Sequence, residues 1–327
     1  MSDKLLEVRD LSVRIPVATG TLHAVRGASI AVNRAETLCI VGESGCGKSL
    51  TSLAIMGLLP PGAARDAEAL RFDGEDLLRA PKGRMRALRG DRMAMIFQEP
   101  MTSLNPAWTI GEQLAEPFVY HGKGDRRAAR DRAVELLERV GISAAASRLS
   151  QYPHELSGGL RQRVMIAMAL MCGPELLLAD EPTTALDVTI QAEILRLLAR
   201  LQREMGLALL LVTHDLGVVA AVATRVAVMY AGEVVEEGPA EAVFGAPRHP
   251  YTQGLLRCIP IPGATARGQK LGTISGTVPS LVGGIEGCAF RDRCPHAMPR
   301  CAAETPPLRT VAGGHHVACH LDNVTSP

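Results

Sequence analysis

The stretch TLCIVGESGCGKS, residues 37–49, joins an apolar run to a glycine-rich turn that ends in lysine and serine. Its last eight residues fit the pattern G-x-x-x-x-G-K-[ST], which forms a phosphate-binding loop when a strand precedes it and a helix follows. Glycines let the backbone N–H groups of such a loop point at phosphate oxygens, and the helix adds its positive N-terminal end. The stretch therefore predicts an α/β fold that binds a nucleotide.

Residues 42–50 are called the phosphate loop below, and we expect all of them to line the nucleotide. They are Gly42, Glu43, Ser44, Gly45, Cys46, Gly47, Lys48, Ser49 and Leu50. The amine of Lys48 is predicted to neutralise the β- and γ-phosphates, and the hydroxyl of Ser49 is predicted to bind Mg²⁺. Such a loop binds through its backbone, so the thiol of Cys46 is expected to be incidental.

A pair of acids follows a second apolar run, LLLADE at residues 176–181. The run carries Asp180 to the carboxyl end of a predicted strand, where α/β folds place their ligands. A carboxylate there can hold Mg²⁺ through its water shell, and Glu181 is placed to orient or deprotonate an attacking water. Two acids in a turn would be weak evidence alone, but beside a phosphate loop they predict a nucleotide-hydrolysing site.

The remainder of the N-terminal two-thirds alternates strand-like and helix-like segments. Apolar runs at 93–98 and 207–215 are typical of buried parallel strands, and amphipathic helices are predicted at 125–141 and 188–206. This alternation indicates an α/β fold with a parallel sheet. After about Gly238 the chain becomes rich in Pro, Gly and Cys. We therefore predict two domains, 1–240 and 241–327.

Composition excludes several classes of protein. Lys and Arg number 35 against 34 Asp and Glu, a balance that gives no general attraction to nucleic acid. The charged opening MSDKLLEVRD is unlike a secretory signal, and no apolar run approaches the roughly 20 residues of a spanning helix. We expect a protein of the reducing cytoplasm, whose eight cysteines are not structural disulfides.

The segment HELSGGLRQRVMIAMAL, residues 154–170, resembles the signature sequence of ATP-binding-cassette (ABC) proteins. A serine and two glycines opening a helix make a second anion-binding end. In that family the signature of one subunit closes over the phosphate loop of another, so Ser157, Gly158 and Gly159 are expected to contact a partner's nucleotide. Leu160 departs from the family pattern, in which many members carry glutamine.

Other cassette motifs occur in the family's order. The resemblance implies that Gln98 contacts Mg²⁺, that Asp187 in TALD faces the partner subunit, and that His214 contacts the γ-phosphate. It also implies a P-loop NTPase (RecA-like) core, an antiparallel β subdomain and a helical subdomain bearing the signature. The cassette resemblance covers residues 1 to about 240, and its motifs are specific.

The tail segments HPYTQGLL (249–256) and 287–320 resemble the C-terminal extension of one cassette subfamily. That subfamily energises import of dipeptides, oligopeptides and, in some members, nickel or another small solute. The resemblance implies an ATPase subunit, peripheral on the cytoplasmic face of the membrane. Its partners would be two transmembrane permease subunits, a second ATPase subunit (a related chain or another copy) and, indirectly, an external solute-binding protein. The alternative, a soluble cassette protein of DNA repair or translation, lacks support because only one cassette is present.

Four cysteines in the tail form a candidate metal site: Cys288, Cys294, Cys301 and Cys319. Their spacing lacks the C-x₂₋₄-C pairs typical of zinc sites, yet four thiolates suit either tetrahedral zinc or an iron–sulfur cluster. Unliganded thiols are the third interpretation, and four nearby histidines keep zinc open. Some members of the resembled subfamily carry a [4Fe–4S] cluster on these cysteines, which favours the cluster. Its expected role is to order a segment with little core.

Overall fold

The computed structural model describes residues 3–98, 103–184, 187–259 and 272–321. The chain divides into two compact units, each assembled from segments that are distant in sequence. Unit A comprises Met1–Leu5, Val32–Thr37 and Arg79–Val212. Unit B comprises Leu6–Ala31, Leu38–Leu78 and Thr213–Pro327. The predicted boundary at residue 240 falls inside unit B, so the tail and the phosphate loop belong to the same compact unit.

The strands and helices of the described residues are numbered in chain order. The strands are β1 Lys4–Val17, β2 Gly20–Asn33, β3 Thr37–Val41, β4 Ala64–Asp66, β5 Ala69–Phe72, β6 Glu75–Asp76, β7 Met93–Ile96, β8 Leu176–Asp180, β9 Ala208–Thr213, β10 Arg225–Tyr230, β11 Glu233–Pro239, β12 Arg309–Ala312 and β13 His315–Val317. The helices are α1 Lys48–Met56, α2 Lys82–Leu88, α3 Ile110–Tyr120, α4 Arg126–Arg139, α5 Ala145–Arg148, α6 Gly158–Ala169, α7 Val188–Met205, α8 Leu216–Val222, α9 Ala240–Gly245, α10 Pro250–Arg257 and α11 Pro299–Ala303.

In unit A the strands β7, β8 and β9 pair in parallel, with Met93 opposite Leu176 and Leu176 opposite Ala208. Every residue of β8 and β9 is buried, as expected for a sheet covered on both faces. The predicted strands at these positions are confirmed. No helix within the described residues is both long and apolar enough to cross a membrane.

The long helices of unit A begin at residues whose side chains accept a backbone N–H. Thr109 caps α3 in a capping box with Glu112, Asp125 caps α4, and Ser157 caps α6. The predicted amphipathic helices are confirmed. In α7 the apolar face is buried, and the helix ends at Gly206 with a left-handed φ of 64°.

In unit B, β3 and β10 pair in parallel, and β10 continues through β11 and β13 to β12 in antiparallel pairs. The tail therefore adds its own strands to the sheet that contains β3, the strand that leads into the phosphate loop. A separate sheet has the order β2-β1-β5-β6, antiparallel at the β1–β5 and β5–β6 pairs. The α/β fold class and the antiparallel β subdomain are both confirmed.

Candidate functional site

The phosphate loop leaves the buried strand β3 and packs closely against other backbone of unit B. Gly42 has φ +155°, and a Cβ there would lie 2.2 Å from the carbonyl oxygen of Met229. Gly47 has φ +101°, and a Cβ there would lie 2.4 Å from the carbonyl oxygen of Ala24. No side chain fits at either position, so the packing of the loop requires these two glycines of the pattern.

Lys48 lies at the start of α1 and is 4% exposed. Its Nζ donates to the carbonyl oxygens of Gly42 (2.9 Å) and Glu43 (3.0 Å), which holds the amine inside the curve of the loop. The Thr51 hydroxyl donates to the carbonyl of Gly47 at 3.0 Å and tightens the first turn of the helix. A buried ammonium and a helix N-terminus together form an anion-binding centre.

In unit A the structure brings Gln98 and Glu181 together. Gln98 Nε2 donates to Oε2 of Glu181 at 3.3 Å, and the hydroxyl of Thr184 donates to the same oxygen at 3.1 Å. Glu181 has a left-handed φ of 43°, a strained value for a non-glycine residue that is typical of functional sites. Asp180 ends β8 and is 5% exposed. The two predicted acids therefore sit at the carboxyl edge of a parallel sheet, with an amide beside one of them.

The other predicted residues lie at element ends. Ser157 and Gly158 are exposed at the N-terminus of α6, whose backbone N–H at Leu160 donates to the Ser157 hydroxyl at 3.4 Å. Asp187 is exposed and caps α7. His214 belongs to unit B and is exposed directly after β9. Ala185 and Leu186 of TALD, and residues 99–102 after Gln98, lie outside the described residues.

The four tail cysteines line one small cavity of unit B together with His249, Pro250, Phe290, His296, His320 and Leu321. Burial raises the pKa of the Cys288 thiol to about 11 and raises those of Cys294 and Cys319, and the neighbouring sulfurs act in the same direction. All eight cysteines are free thiols. Across the described ranges, no group of three or more His, Cys, Asp or Glu side chains is arranged to hold a metal ion. The cysteines thus share a cavity without forming a preassembled metal site, although four thiols are a donor set that soft metals prefer.

Two tail residues that sequence reasoning did not identify touch the phosphate loop. Both guanidinium Nη atoms of Arg293 donate to the carboxylate of Glu43, at 2.6 and 2.9 Å. The backbone N–H of Glu43 donates to the hydroxyl of Tyr251 at 2.9 Å. Both residues stand in the tail segments that carry the resemblance, but no spacing rule links residue 293 with residue 43.

Unit A also has an open groove lined by α3, α4 and the segments before and after them. Its exposed apolar residues are Trp108 (43%), Val119 (41%) and Tyr120 (62%). Charged residues border them, with Glu112 and Glu116 on α3 and Arg126 and Arg130 on α4. Exposed aromatic residues with a charged rim are typical of protein interfaces.

Sequence profiles of two families match the chain. The ABC transporter profile matches residues 25–184, and the profile of the oligopeptide/dipeptide transporter C-terminal region matches residues 235–301. The dipeptide transport ATP-binding protein DppD of Escherichia coli is 50% identical over 325 residues, 99% of each chain. DppD of Bacillus subtilis is 48% identical and covers 98% of this chain and 96% of its own. A putative peptide import ATP-binding protein of Brucella melitensis is 51% identical over 96% of each.

Solved structures give the same fold. A dimeric ATP-binding cassette in a post-hydrolysis state, bound to ADP and Pi, superposes with a TM-score of 0.64 at 27% identity. The match covers 72% of this chain and 98% of that one. CbiO1 of Clostridium perfringens, part of an ABC transporter complex, superposes with a TM-score of 0.63 at 30% identity and covers 75% of this chain and 92% of its own.

Proposed function

Because this chain belongs to the ABC transporter family, we propose that it is the ATP-hydrolysing subunit that drives import of dipeptides or oligopeptides across the cell membrane. Two observations support the substrate class. The second profile matches residues 235–301, and the chain is 48–50% identical to dipeptide transport proteins along nearly its whole length. The chain acts at the cytoplasmic face of the membrane, where its partners are permease subunits and a second ATPase subunit.

The phosphate loop binds the ATP phosphates, with Lys48 neutralising their charge and backbone N–H groups of the loop, other than that of Glu43, donating to their oxygens. Ser49, Gln98 and Asp180 would hold Mg²⁺, and the ion, when bound, would supply positive charge beside the phosphate oxygens. His214 contacts the γ-phosphate. The buried position of Lys48 and the glycine-dictated course of the loop support this assignment.

Glu181 orients or deprotonates the attacking water. Its carboxylate is held by the amide of Gln98 and the hydroxyl of Thr184, so its direction is set before a water arrives. We predict that Glu181→Gln slows hydrolysis by on the order of 10² or more while ATP binding is retained, because only the proton acceptor is removed. Phosphate release and ATP affinity would be measured on the same preparation.

The matched control for this experiment is Glu204→Gln, an exposed acid in the last turn of α7. Its turnover should equal that of the unchanged chain. Turnover of Glu181→Gln at the control's level would remove Glu181 from the mechanism.

Dimerisation completes the site, since the signature residues Ser157, Gly158 and Gly159 of one chain contact the nucleotide of the other. Ser157 and Gly158 are exposed at a helix N-terminus, where an anion is stabilised by the free N–H groups and the helix dipole. Asp187, also exposed, faces the second subunit. That subunit is a related, non-identical chain, with a further copy of this chain as the alternative.

The groove of unit A is the docking site for a cytoplasmic segment of the permease. Its aromatic residues, Trp108 and Tyr120, offer apolar contact area, and its acidic and basic rim residues give the contact a fixed orientation. A partner docked there would transmit closure of the ATPase pair to the membrane subunits.

The four tail cysteines hold a [4Fe–4S] cluster, with zinc as the alternative. Four thiols around one cavity support this assignment, and metal binding would displace their protons despite the raised pKa values. Purification without oxygen should yield about four iron and four sulfide per chain and broad visible absorption. Zinc without colour would establish the alternative, and Cys301→Ser, which removes a buried ligand, should lower the metal content.

A further inference from the structure

Arg293 is fixed in place by contacts on every side. Its side chain is 4% exposed, and besides Glu43 it donates from Nε to the carbonyl of Ser275 (3.0 Å) and from Nη2 to that of Ile274 (3.3 Å). Nη1 also reaches the hydroxyl of Tyr230 at 3.4 Å. The two-pronged contact with a carboxylate is the strongest geometry open to arginine. The guanidinium therefore cannot turn away from Glu43 without losing several hydrogen bonds.

Glu43, the second residue of the phosphate loop, is hydrogen-bonded through its main chain to the amine of Lys48. Its carbonyl accepts from Lys48 Nζ at 3.0 Å, and its N–H donates to Tyr251 at 2.9 Å. A shift of the Glu43 backbone would therefore move the carbonyl that holds Lys48. The side chain is 29% exposed, so the protein shields its carboxylate only in part.

A carboxylate on a loop that receives a triphosphate opposes binding, because like charges repel strongly where water is partly excluded. We infer that Arg293 is a positioning residue for ATP, which neutralises Glu43 and holds the phosphate loop in its binding conformation. This inference rests on the proposed function and deepens it, since it adds a residue of the tail to the nucleotide site. An arginine guanidinium is not deprotonated in proteins, so its charge is permanent.

The same residue connects the loop to the cysteine cavity. Arg293 immediately precedes Cys294 in a short 3₁₀ turn, Arg291–Arg293. Phe290, which lines the cavity, packs edge-on against Tyr230 with ring centroids 5.2 Å apart and lies 5.4 Å from the ring of Tyr251. A movement of residues 288–294 would carry Arg293 with it. A change at the cysteine cavity is therefore expected to alter ATP affinity through Arg293, and such a coupling between two binding sites is reciprocal.

The test measures the dissociation constant of ATP for the full-length chain by calorimetry without Mg²⁺, so that hydrolysis does not interfere. Arg293→Gln should weaken binding about tenfold, within the usual range of coupling between sites. The matched control is Arg291→Gln, in the same turn, whose guanidinium donates instead to the carbonyl of Glu286. Its affinity should equal that of the unchanged chain.

The decisive comparison removes the carboxylate. With Glu43→Gln as the reference, adding Arg293→Gln should cost less than about twofold, because no negative charge remains to be neutralised. An equal loss in both backgrounds would make Arg293 a general support of the fold and overturn the inference. Unchanged affinity of the Arg293→Gln chain would also overturn it. Failure of the unchanged chain to bind ATP would overturn the proposed function as well, so the two failures are distinguishable.

A second variant serves where Arg293→Gln does not fold. Arg293→Lys keeps the charge but loses the two-pronged geometry, so its ATP affinity should fall by a smaller factor, and only while Glu43 is present. Cys294→Ser, which alters the cavity beside Arg293, should weaken ATP binding under the same condition. Equal effects of either variant with and without the Glu43 carboxylate would contradict the coupling.

Discussion

Gly47 has a backbone φ of +101° and leaves no room for a Cβ beside the carbonyl of Ala24. The requirement comes from packing against β2 rather than from the turn alone. A Cβ at Gly45, where φ is +79°, would meet no atom of the described residues within 4 Å. Gly47, which the pattern specifies, is therefore required by contact, whereas Gly45, which the pattern leaves open, is favoured by its backbone conformation.

We predict that Gly47→Ala weakens ATP binding by about tenfold or more, equivalent to about 1.4 kcal/mol, because the loop must shift to relieve a 2.4 Å contact. Titration with ATP measures the loss. The control is Gly74→Ala, which has the same kind of left-handed strain (φ +79°) in open space away from the loop. Equal ATP affinity for the two variants would show that the contact at Gly47 does not shape the loop.

At the scale of elements, the helix α10 is attached to the sheet of unit B by buried polar groups. His249 caps the helix, with Nδ1 accepting from the N–H of Tyr251 at 3.0 Å. The carboxylate of Glu236 accepts from the backbone N–H groups of Arg248 and His249 and contacts His315 Nε2 at 2.7 Å. This network places Tyr251 against the phosphate loop, so the cap of a tail helix also supports the nucleotide site.

Burial lowers the pKa of His249 to about 4, although the Glu236 carboxylate acts in the opposite direction. The unfolded chain takes up this proton below about pH 6.5, whereas the folded chain does so only below about pH 4. At a pH between these two values, protonation of His249 in the unfolded chain therefore favours unfolding. We predict that His249→Asn, which can still cap the helix, loses this part of the pH dependence.

The measurement is the thermal midpoint at about pH 7 and about pH 5, which bracket the ordinary histidine pKa. From the higher to the lower pH, the thermal midpoint should decrease less for His249→Asn than for the unchanged chain. His154→Asn, at an exposed position, should show the same decrease as the unchanged chain. The same decrease in all three proteins would mean that His249 is not held neutral by burial.

At the scale of the whole molecule, assembly is the property that distinguishes a transport ATPase from the isolated catalytic unit. The unit A groove has exposed apolar residues, and so does the tail, where Leu308 is 40% exposed. The two sets are distant in sequence and can be changed separately. Only a partner that binds the groove would respond to changes there.

We predict that Tyr120→Glu releases the chain from the membrane fraction of its own cells, because a charge placed among the residues that line the groove must lose its water on docking. ATP affinity of the purified chain should not change. Leu308→Glu is the matched control and should remain membrane-associated. Retention of Tyr120→Glu at the control's level would assign the docking site to another surface.

Sequence patterns are sufficient to predict the buried strands, the capped helices, the phosphate loop and the acids of residues 180–181, because each depends on neighbours within a few positions. A strand is recognised from its apolar run, and Ser157 from its place before a helix. The family resemblance extends this to the signature, Gln98 and His214. Their roles in contacting the nucleotide are what that resemblance implies, and they remain predictions.

Other features depend on contacts that no local pattern encodes. The pairing of β13 with β11, the shared cavity of four cysteines and the Arg293–Glu43 contact each join residues separated by tens to hundreds of positions. Tertiary structure decides them. Bringing distant segments together costs chain entropy, and such contacts form only where the packing of the whole unit offsets that cost.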